Sequence, residues 1–280
     1  MNCNIDLLSY RKDIYSDIGN DGIIEYILKT INTEKGIFVE FGAWDGIKNS
    51  NCRRLFKENW DGIFIEGNID KYEKLKNNYI DNKNIYCCNC KVGFKKEELF
   101  DNIVNPFLKG SNIDFCSIDI DGLDLEVFET FEKYLPTVIC IEGGQMLPPY
   151  HKRIKKTLAK HNIQQSLQTM VNSFEEKGYK VLCSYQDSFF IKKELYDKFN
   201  VESNLVKLYF NGLKSISRRM PFIQKYTKKV GLKNYIVDNI LKNSNYKKYG
   251  WSRRKIWIEE NKEIVLKNLN KLEIREKLIY

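Results

Sequence analysis

The sequence predicts an α/β protein: a mostly parallel, doubly wound sheet of seven strands closed by an antiparallel hairpin, followed by a basic helical appendage. Three observations predict it. Short runs of β-branched and aromatic residues alternate with stretches of helical period from residue 21 to residue 177. Four of the first five runs end in an acid, at Glu40, Glu66, Asp119/Asp121 and Glu142. The last two runs, residues 178–185 and 188–191, are separated only by Gln186-Asp187, which leaves room for a hairpin and not for a crossover.

Residues 21–31 read as the leading helix, with Ile24, Tyr26, Ile27, Leu28 and Ile31 on one face, Asn20 or Asp21 as N-cap, and the sheet edge beneath it. The stretch GIFVEFGAWDG, residues 36–46, is a buried strand that stops near a carboxylate and enters a loop where Gly42 and Gly46 flank Asp45. Glycine there permits positive φ and a close ligand approach. Residues 48–57 then form a helix, with Cys52, Leu55 and Phe56 on one side. A second strand, residues 62–67, closes on Glu66, whose two acceptor oxygens suit the paired hydroxyls of a ribose; a solvated loop-end acid is the plainer alternative.

Helix 69–79, strand 84–92 and a mixed segment over 95–108 follow. Residues 113–122 form the fourth strand, ending in Asp119, Asp121 and Gly122, and lead into a helix over 123–134 that Pro136 stops. Two carboxylates at one strand end need a positive partner, either a metal or a ligand ammonium. The fifth strand, 137–144, carries Glu142. A loop around Pro148-Pro149, helical stretches to about residue 160 and over 164–177, and the hairpin complete the body.

At 280 residues the chain supports one full α/β core and an appendage. From residue 200 on, 19 Lys and Arg face seven Asp and Glu; that surplus within an overall +9 leaves the first 199 residues slightly acidic. This charge shift sets the expected boundary at 199/200, with basic helices interleaved with aromatics and punctuated by Gly212, Pro221, Gly231 and Gly250 beyond it. No apolar run of about 18 residues is present to span a membrane, and the first residues lack the pattern of a secretion signal. Of eight cysteines, Cys116, Cys140 and Cys183 lie inside apolar strands, and Cys87/Cys90 is a single C-x-x-C pair. Reduced thiols in a cytoplasmic protein fit that placement better than zinc or disulfides.

The glycine loop is not the dinucleotide fingerprint. The order Glu40-x-Gly42-x-Trp44-Asp45-Gly46 puts acids where G-x-G-x-x-G would seat a diphosphate. Acids beside a glycine turn suit a cationic ligand with hydroxyls, and S-adenosylmethionine, with a sulfonium, an ammonium and a ribose, fits. Taken in order, IYSDIGNDGIIEYIL, FVEFGAWDGIKNSN, NWDGIFIEG, IDFCSIDIDG, PTVICIEG and GYKVLCSYQDSFFI resemble the FkbM-like class I methyltransferases over roughly residues 14–195. The resemblance implies a Rossmann-like seven-stranded methyltransferase sheet with a terminal antiparallel hairpin. It also implies methyl transfer from S-adenosylmethionine to a hydroxyl of a sugar or small metabolite, often for surface polysaccharide biosynthesis. The cofactor residues it implies are Glu40, Gly42, Ala43, Asp45, Asn51, Glu66 and Asp119. Trp44 and the Gly143-Gly144-Gln145 run depart from its common variants.

A sugar hydroxyl is a weak nucleophile, so a base or a metal should help remove its proton. Asp121 and Glu142 are the candidate bases. His151 is a third, although a solvated histidine among Lys152, Arg153, Lys155 and Lys156 is the plainer reading. Asp119, Asp121 and Glu142 are alternatively a magnesium set. The expected acceptor is a carbohydrate, and the expected location is cytoplasmic, extending to the inner face of the membrane. Three readings stand for residues 200–280: a solvated helical appendage, a contact with anionic lipid, and a nucleic-acid grip without an RNA-binding motif. Two other functions stay open beside a glycan O-methyltransferase: an RNA methyltransferase of the same fold, and a non-catalytic partner in glycan assembly.

Overall fold

The computed structural model describes residues 4–145, 149, 153 and 164–219. A seven-stranded sheet in the order β3-β2-β1-β4-β5-β7-β6 forms its centre. Strands β1 (Ile37–Phe41), β2 (Asp61–Ile65), β3 (Ile85–Cys88), β4 (Phe115–Ile118) and β5 (Val138–Glu142) are parallel. Strand β7 (Asp187–Lys192) runs antiparallel between β5 and β6 (Tyr179–Ser184). This is the Rossmann-like methyltransferase arrangement that the sequence predicts, hairpin included. The chain leaves β1 outward to β2 and β3, then returns to β4 on the other side, so the order reverses between β1 and β4. A reversal of that kind opens a crevice outside the carboxyl ends of the strands.

Alternate strand residues face two helical layers. Val39, Phe41, Ile63, Ile65, Cys116 and Ile139 pack with helices α4 (Phe100–Leu108), α5 (Asp124–Phe128) and α6 (Leu167–Glu176). Phe38, Phe64, Phe115, Val138 and Cys140 pack with α1 (Asn20–Thr30), α2 (Arg53–Lys57) and α3 (Ile69–Tyr79). Burial on both faces is why these strands read as continuous apolar runs rather than alternating ones. Helix α7 (Leu205–Arg219) opens the basic region, yet Val206, Leu208 and Tyr209 enter the core of the α4–α6 layer. The helices expected after residue 219, and most of the stretch from 146 to 163, lie outside the described residues.

Several elements differ from expectation for identifiable reasons. Helix α1 lies on a face of the sheet rather than its edge, with Ile23, Ile24, Ile27 and Leu28 against Phe38 and Phe115. Its N-cap is Gly19 at φ 93°, not Asn20 or Asp21. Asp21 instead accepts the backbone N–H groups of Ile14, Tyr15 and Ser16, each at 2.8 Å, and so pins the segment before the helix. The helix expected over 48–57 is only Arg53–Lys57, because Ser50 and Asn51 are engaged by Glu40 and Asn49 sits at φ 57°. Helix α5 stops at Phe128 rather than 134, since the N–H groups of Glu132, Lys133 and Tyr134 donate to Asp101. Strand β3 ends at Cys88 rather than 92 and pairs with β2 alone. The hairpin turn is Tyr185-Gln186, which leaves Asp187 inside β7 opposite Glu142.

Candidate functional site

A cavity of about 1000 Å³ opens at the carboxyl ends of β1 to β4, across the point where the strand order reverses. Glu40, Gly42, Ala43, Asn51, Glu66, Asp119 and Asp121 all line it. Carboxylates from three strands, Glu40, Glu66 and Asp119, therefore meet in one hollow. Asp45 stands apart from that wall: its Oδ1 accepts the N–H groups of Ile47 and Lys48 at 2.9 and 2.8 Å, a turn that shapes the loop. His151 lies outside the described residues.

The loop after β1 is built around Gly42 at φ 76°. Its amides are already committed. Gly42 and Ala43 both donate to the Ile65 carbonyl, at 3.1 and 3.2 Å, and Gly46 donates to Ala43. Trp44 donates its N–H to Glu66 Oε2 at 2.8 Å. The next helix, α2, begins only at Arg53. A diphosphate cradle needs free amides and the N-terminus of the helix that follows the loop, and here four of the loop's amides are engaged and that helix starts seven residues beyond Gly46.

Glu40 is buried on the α1–α3 side of β1. Its Oε1 accepts the Asn51 N–H at 2.9 Å and its Oε2 the Ser50 hydroxyl at 2.6 Å. Burial pushes its carboxyl up to about 7, against the lowering effect of those hydrogen bonds. Asn51 continues inward, donating from Nδ2 to Ser117 Oγ at 3.0 Å. Asn20 Nδ2 donates to Asn51 Oδ1 at 2.9 Å and to Asp187 Oδ2 at 2.6 Å, and the Tyr185 hydroxyl donates to Asn20 Oδ1. A buried polar chain thus runs from β7 through α1 to the glycine loop and β1. Burial pushes Asp187 up to about 6. Glu66 accepts from Trp44 and, at 2.7 Å, from the Asn68 N–H, so each carboxylate oxygen keeps a further lone pair.

A second group of acids adjoins the cavity, running from exposed Asp119 through half-buried Glu142 to buried Asp124. Carboxylate oxygens of Asp119, Asp124 and Glu142 come within 4.8 Å of one another. Desolvation in the cleft, and then the charges of Glu142, Asp187, Asp124 and Asp121, push Asp119 up to about 8. Burial and the charge of Asp124 push Glu142 up to about 7. Asp124 accepts the N–H groups of Ile120 and Gly122 at 2.8 and 2.9 Å. Gln164 Nε2 bridges Asp124 Oδ2 at 2.8 Å and Glu142 Oε2 at 2.5 Å. Of the magnesium set expected at Asp119, Asp121 and Glu142, Asp119 and Glu142 converge and Asp121 does not. Asp121, at φ 59°, stands exposed on the cavity wall outside the convergent group, and Asp124 takes its place, its Oδ2 accepting from Gly122 and Gln164 and its Oδ1 from Ile120.

Asn20, Asp124, Gln164 and Asp187 were not singled out as site residues from the sequence. Asn20 reads as a helix cap, Asp187 as a turn residue and Asp124 as a helix-starting acid, and their long-range partners leave no local signature. The start of the helix near Gln164 carries no signal that its amide would reach back 22 positions to Glu142.

A scan of protein-family models finds no match to the chain, and a search of curated protein sequences finds none either. Among solved structures it is similar to the CurJ carbon methyltransferase, with a TM-score of 0.43 and 10% identity over 63% of this chain; the match spans 55% of that chain. It is also similar to M. capricolum TrmK bound to S-adenosyl-homocysteine, with a TM-score of 0.41 and 12% identity over 86% of this chain and 96% of that one. A SAM-dependent methyltransferase from Aquifex aeolicus gives a TM-score of 0.38 and 16% identity over 60% of this chain and 86% of that one. All three are methyltransferases. Likenesses this distant add nothing to what the strand order and the cavity of this chain already establish.

Proposed function

We propose that the chain is an FkbM-like, S-adenosylmethionine-dependent methyltransferase acting on a sugar hydroxyl of a surface polysaccharide or related glycoconjugate. One observation carries the reading: Glu40, Glu66 and Asp119 converge on one hollow beside a glycine loop whose amides are engaged internally. The acids favour positive charge and hydroxyls, and the glycine loop lacks the amide cradle that seats a diphosphate. When bound, the donor supplies an electrophilic methyl on a positively charged sulfur.

The remaining lone pairs of Glu66 accept the ribose hydroxyls. Asp119, its carboxyl pushed up by desolvation in the cleft and by the neighbouring acids, ionises more readily when a cation sits beside it, because an opposite charge offsets both effects. The cavity wall fixes the acceptor oxygen in line with the methyl, and positioning of this kind supplies much of the rate. Glu142 is not among the residues lining the cavity, but its carboxylate oxygen lies within 4.8 Å of that of Asp119. As the candidate base for the hydroxyl proton it has a carboxyl pushed up to about 7, well matched to that task at neutral pH. Asp121, exposed on the same wall, and His151 are the alternative bases. The protein acts in the cytoplasm at the inner membrane face, with residues 200–280 as a contact for anionic lipid in preference to nucleic acid. Among the described residues no helix is long and apolar enough to cross a membrane.

Calorimetry with S-adenosylmethionine and S-adenosylhomocysteine tests the donor, and tritiated-methyl transfer to surface glycan and to total RNA tests the acceptor. Binding with transfer to glycan is the expected result. Absence of binding removes the methyltransferase reading, and transfer to RNA alone replaces the sugar acceptor. Full biological activity of Glu40→Ala and Asp119→Ala variants would point instead to a non-catalytic partner in glycan assembly.

A further inference from the structure

The mouth of the cavity carries a surface that methyl transfer does not require. Trp44, Ile47 and Ile69 are 42, 37 and 55% exposed. Trp44 projects from the glycine loop at φ 52°, a backbone conformation that a bulky residue rarely adopts, and its N–H is tied to Glu66. Ile69 opens α3. The two segments are fastened together: the Tyr79 hydroxyl donates to the Gly46 carbonyl at 2.5 Å and Asn78 Nδ2 to the Asp45 carbonyl at 2.9 Å. Lys71 Nζ lies 4.4 Å and Lys48 Nζ 5.1 Å from the Trp44 ring centroid.

Lys48, Lys71 and Lys91 line the cavity, and none makes an ion pair among the described residues. Exposed Lys74 and Lys76 on α3 offset the exposed acids Asp70 and Glu73 on the same helix, so on the α3 side Lys48, Lys71 and Lys91 outweigh Asp45, while the exposed acids Asp119 and Asp121 lie on the β4 side. Tryptophan and branched aliphatic side chains beside unpaired lysines are the composition of a surface seated at a bilayer's headgroup boundary. The apolar groups enter, and the ammoniums stay with the phosphates. Nucleic acid suits the rim less well. Bases stack on an open ring, whereas two ammoniums already sit over Trp44, and Ile47 and Ile69 have no π face to offer.

We propose that Trp44, Ile47 and Ile69, with Lys48, Lys71 and Lys91, dock the cavity mouth on an anionic lipid surface. The inference is independent of the donor reading and of the basic region after residue 200. Docked in this way, the cavity opens toward lipid headgroups.

The test uses the full chain with vesicles of phosphatidylcholine alone or mixed with phosphatidylglycerol, in low salt. The protein should sediment with the anionic vesicles and not the neutral ones. Brominated lipid should quench its tryptophan emission, and in a chain with Trp251 and Trp257 replaced by Phe, Trp44→Phe should remove most of the remaining quenching. The double variant Lys48→Gln/Lys71→Gln should partition about 25-fold more weakly, at about fivefold per lysine. These side chains are at the surface, so circular dichroism should report an unchanged fold. Unaltered partition of the double variant, or unaltered quenching in Trp44→Phe, would overturn the proposal by placing the contact elsewhere on the chain. Binding to RNA with no binding to vesicles would overturn it as well.

Discussion

The carbonyl oxygen of Asp119 occupies the space that any side chain on Gly42 would need: an ideal Cβ at Gly42 falls 1.6 Å from it. The ends of β1 and β4 are closed this tightly where their acids turn into the same hollow. Gly42→Ala should force the two loops apart. It should cost about 1–3 kcal/mol for the left-handed backbone alone and weaken S-adenosylhomocysteine binding at least tenfold. Urea unfolding and calorimetry measure the two effects, and an alanine variant with intact affinity would detach this glycine from the site.

Protonation should set both stability and donor affinity. Glu40, Asp119 and Glu142 are pushed up to about 7, 8 and 7. The folded protein therefore binds these protons more tightly than the unfolded chain. Stability from them is full below about pH 4 and declines as pH rises through about 7 to 8. Thermal melts of the ligand-free protein should fall across that window. S-adenosylmethionine should raise the midpoint more near pH 8 than near pH 6, because its cation replaces the missing protons. Equal gains at both values would separate the acids from the donor.

The buried polar chain should be costly to interrupt. Asn20→Leu removes the amide that donates to Asn51 and Asp187 and accepts from Tyr185, so three buried groups lose this partner, at about 1–3 kcal/mol for each left unsatisfied. Denaturant titration should show that loss. Calorimetry should also show weaker donor binding, since Asn51 holds Glu40. A stability loss with undiminished affinity would confine Asn20 to the scaffold.

Glu142→Gln should lower kcat by about 10²–10⁴-fold while leaving the dissociation constant of S-adenosylhomocysteine nearly unchanged. Steady-state kinetics beside calorimetry provide the comparison. If Asp121→Asn has that effect and Glu142→Gln does not, the proton passes to Asp121.

Much of the fold was legible because its signals are local. Helix α3 begins at Ile69 and ends at Tyr79 as its period indicates, each of β1, β4 and β5 falls within its apolar run, and β2 begins one residue before its own. The acids Glu40, Glu66 and Asp119 were legible as strand-end residues, and the reversal of strand order brings them together. What stayed hidden depends on partners far along the chain. Nothing near residues 48–51 tells that Glu40 takes Ser50 and Asn51 out of a helix. Nothing near Asp101 tells that it takes the amides of residues 132–134 and shortens α5. Asp121 reads as a strand-end acid and Asp124 as a helix-starting one, yet Asp124 joins Asp119 and Glu142 while Asp121, in a left-handed turn, stays on the cavity wall.

The Asn20–Asp187 hydrogen bond joins positions 167 apart, and it stands on the same buried chain that holds Glu40. During synthesis the N-terminal helix leaves the ribosome long before its partner strand, so the donor-facing half of the pocket waits, incomplete, for the final hairpin. Shortened chains that stop before β7 should therefore be unable to retain the methyl donor, even though every strand bordering the cavity has already been made.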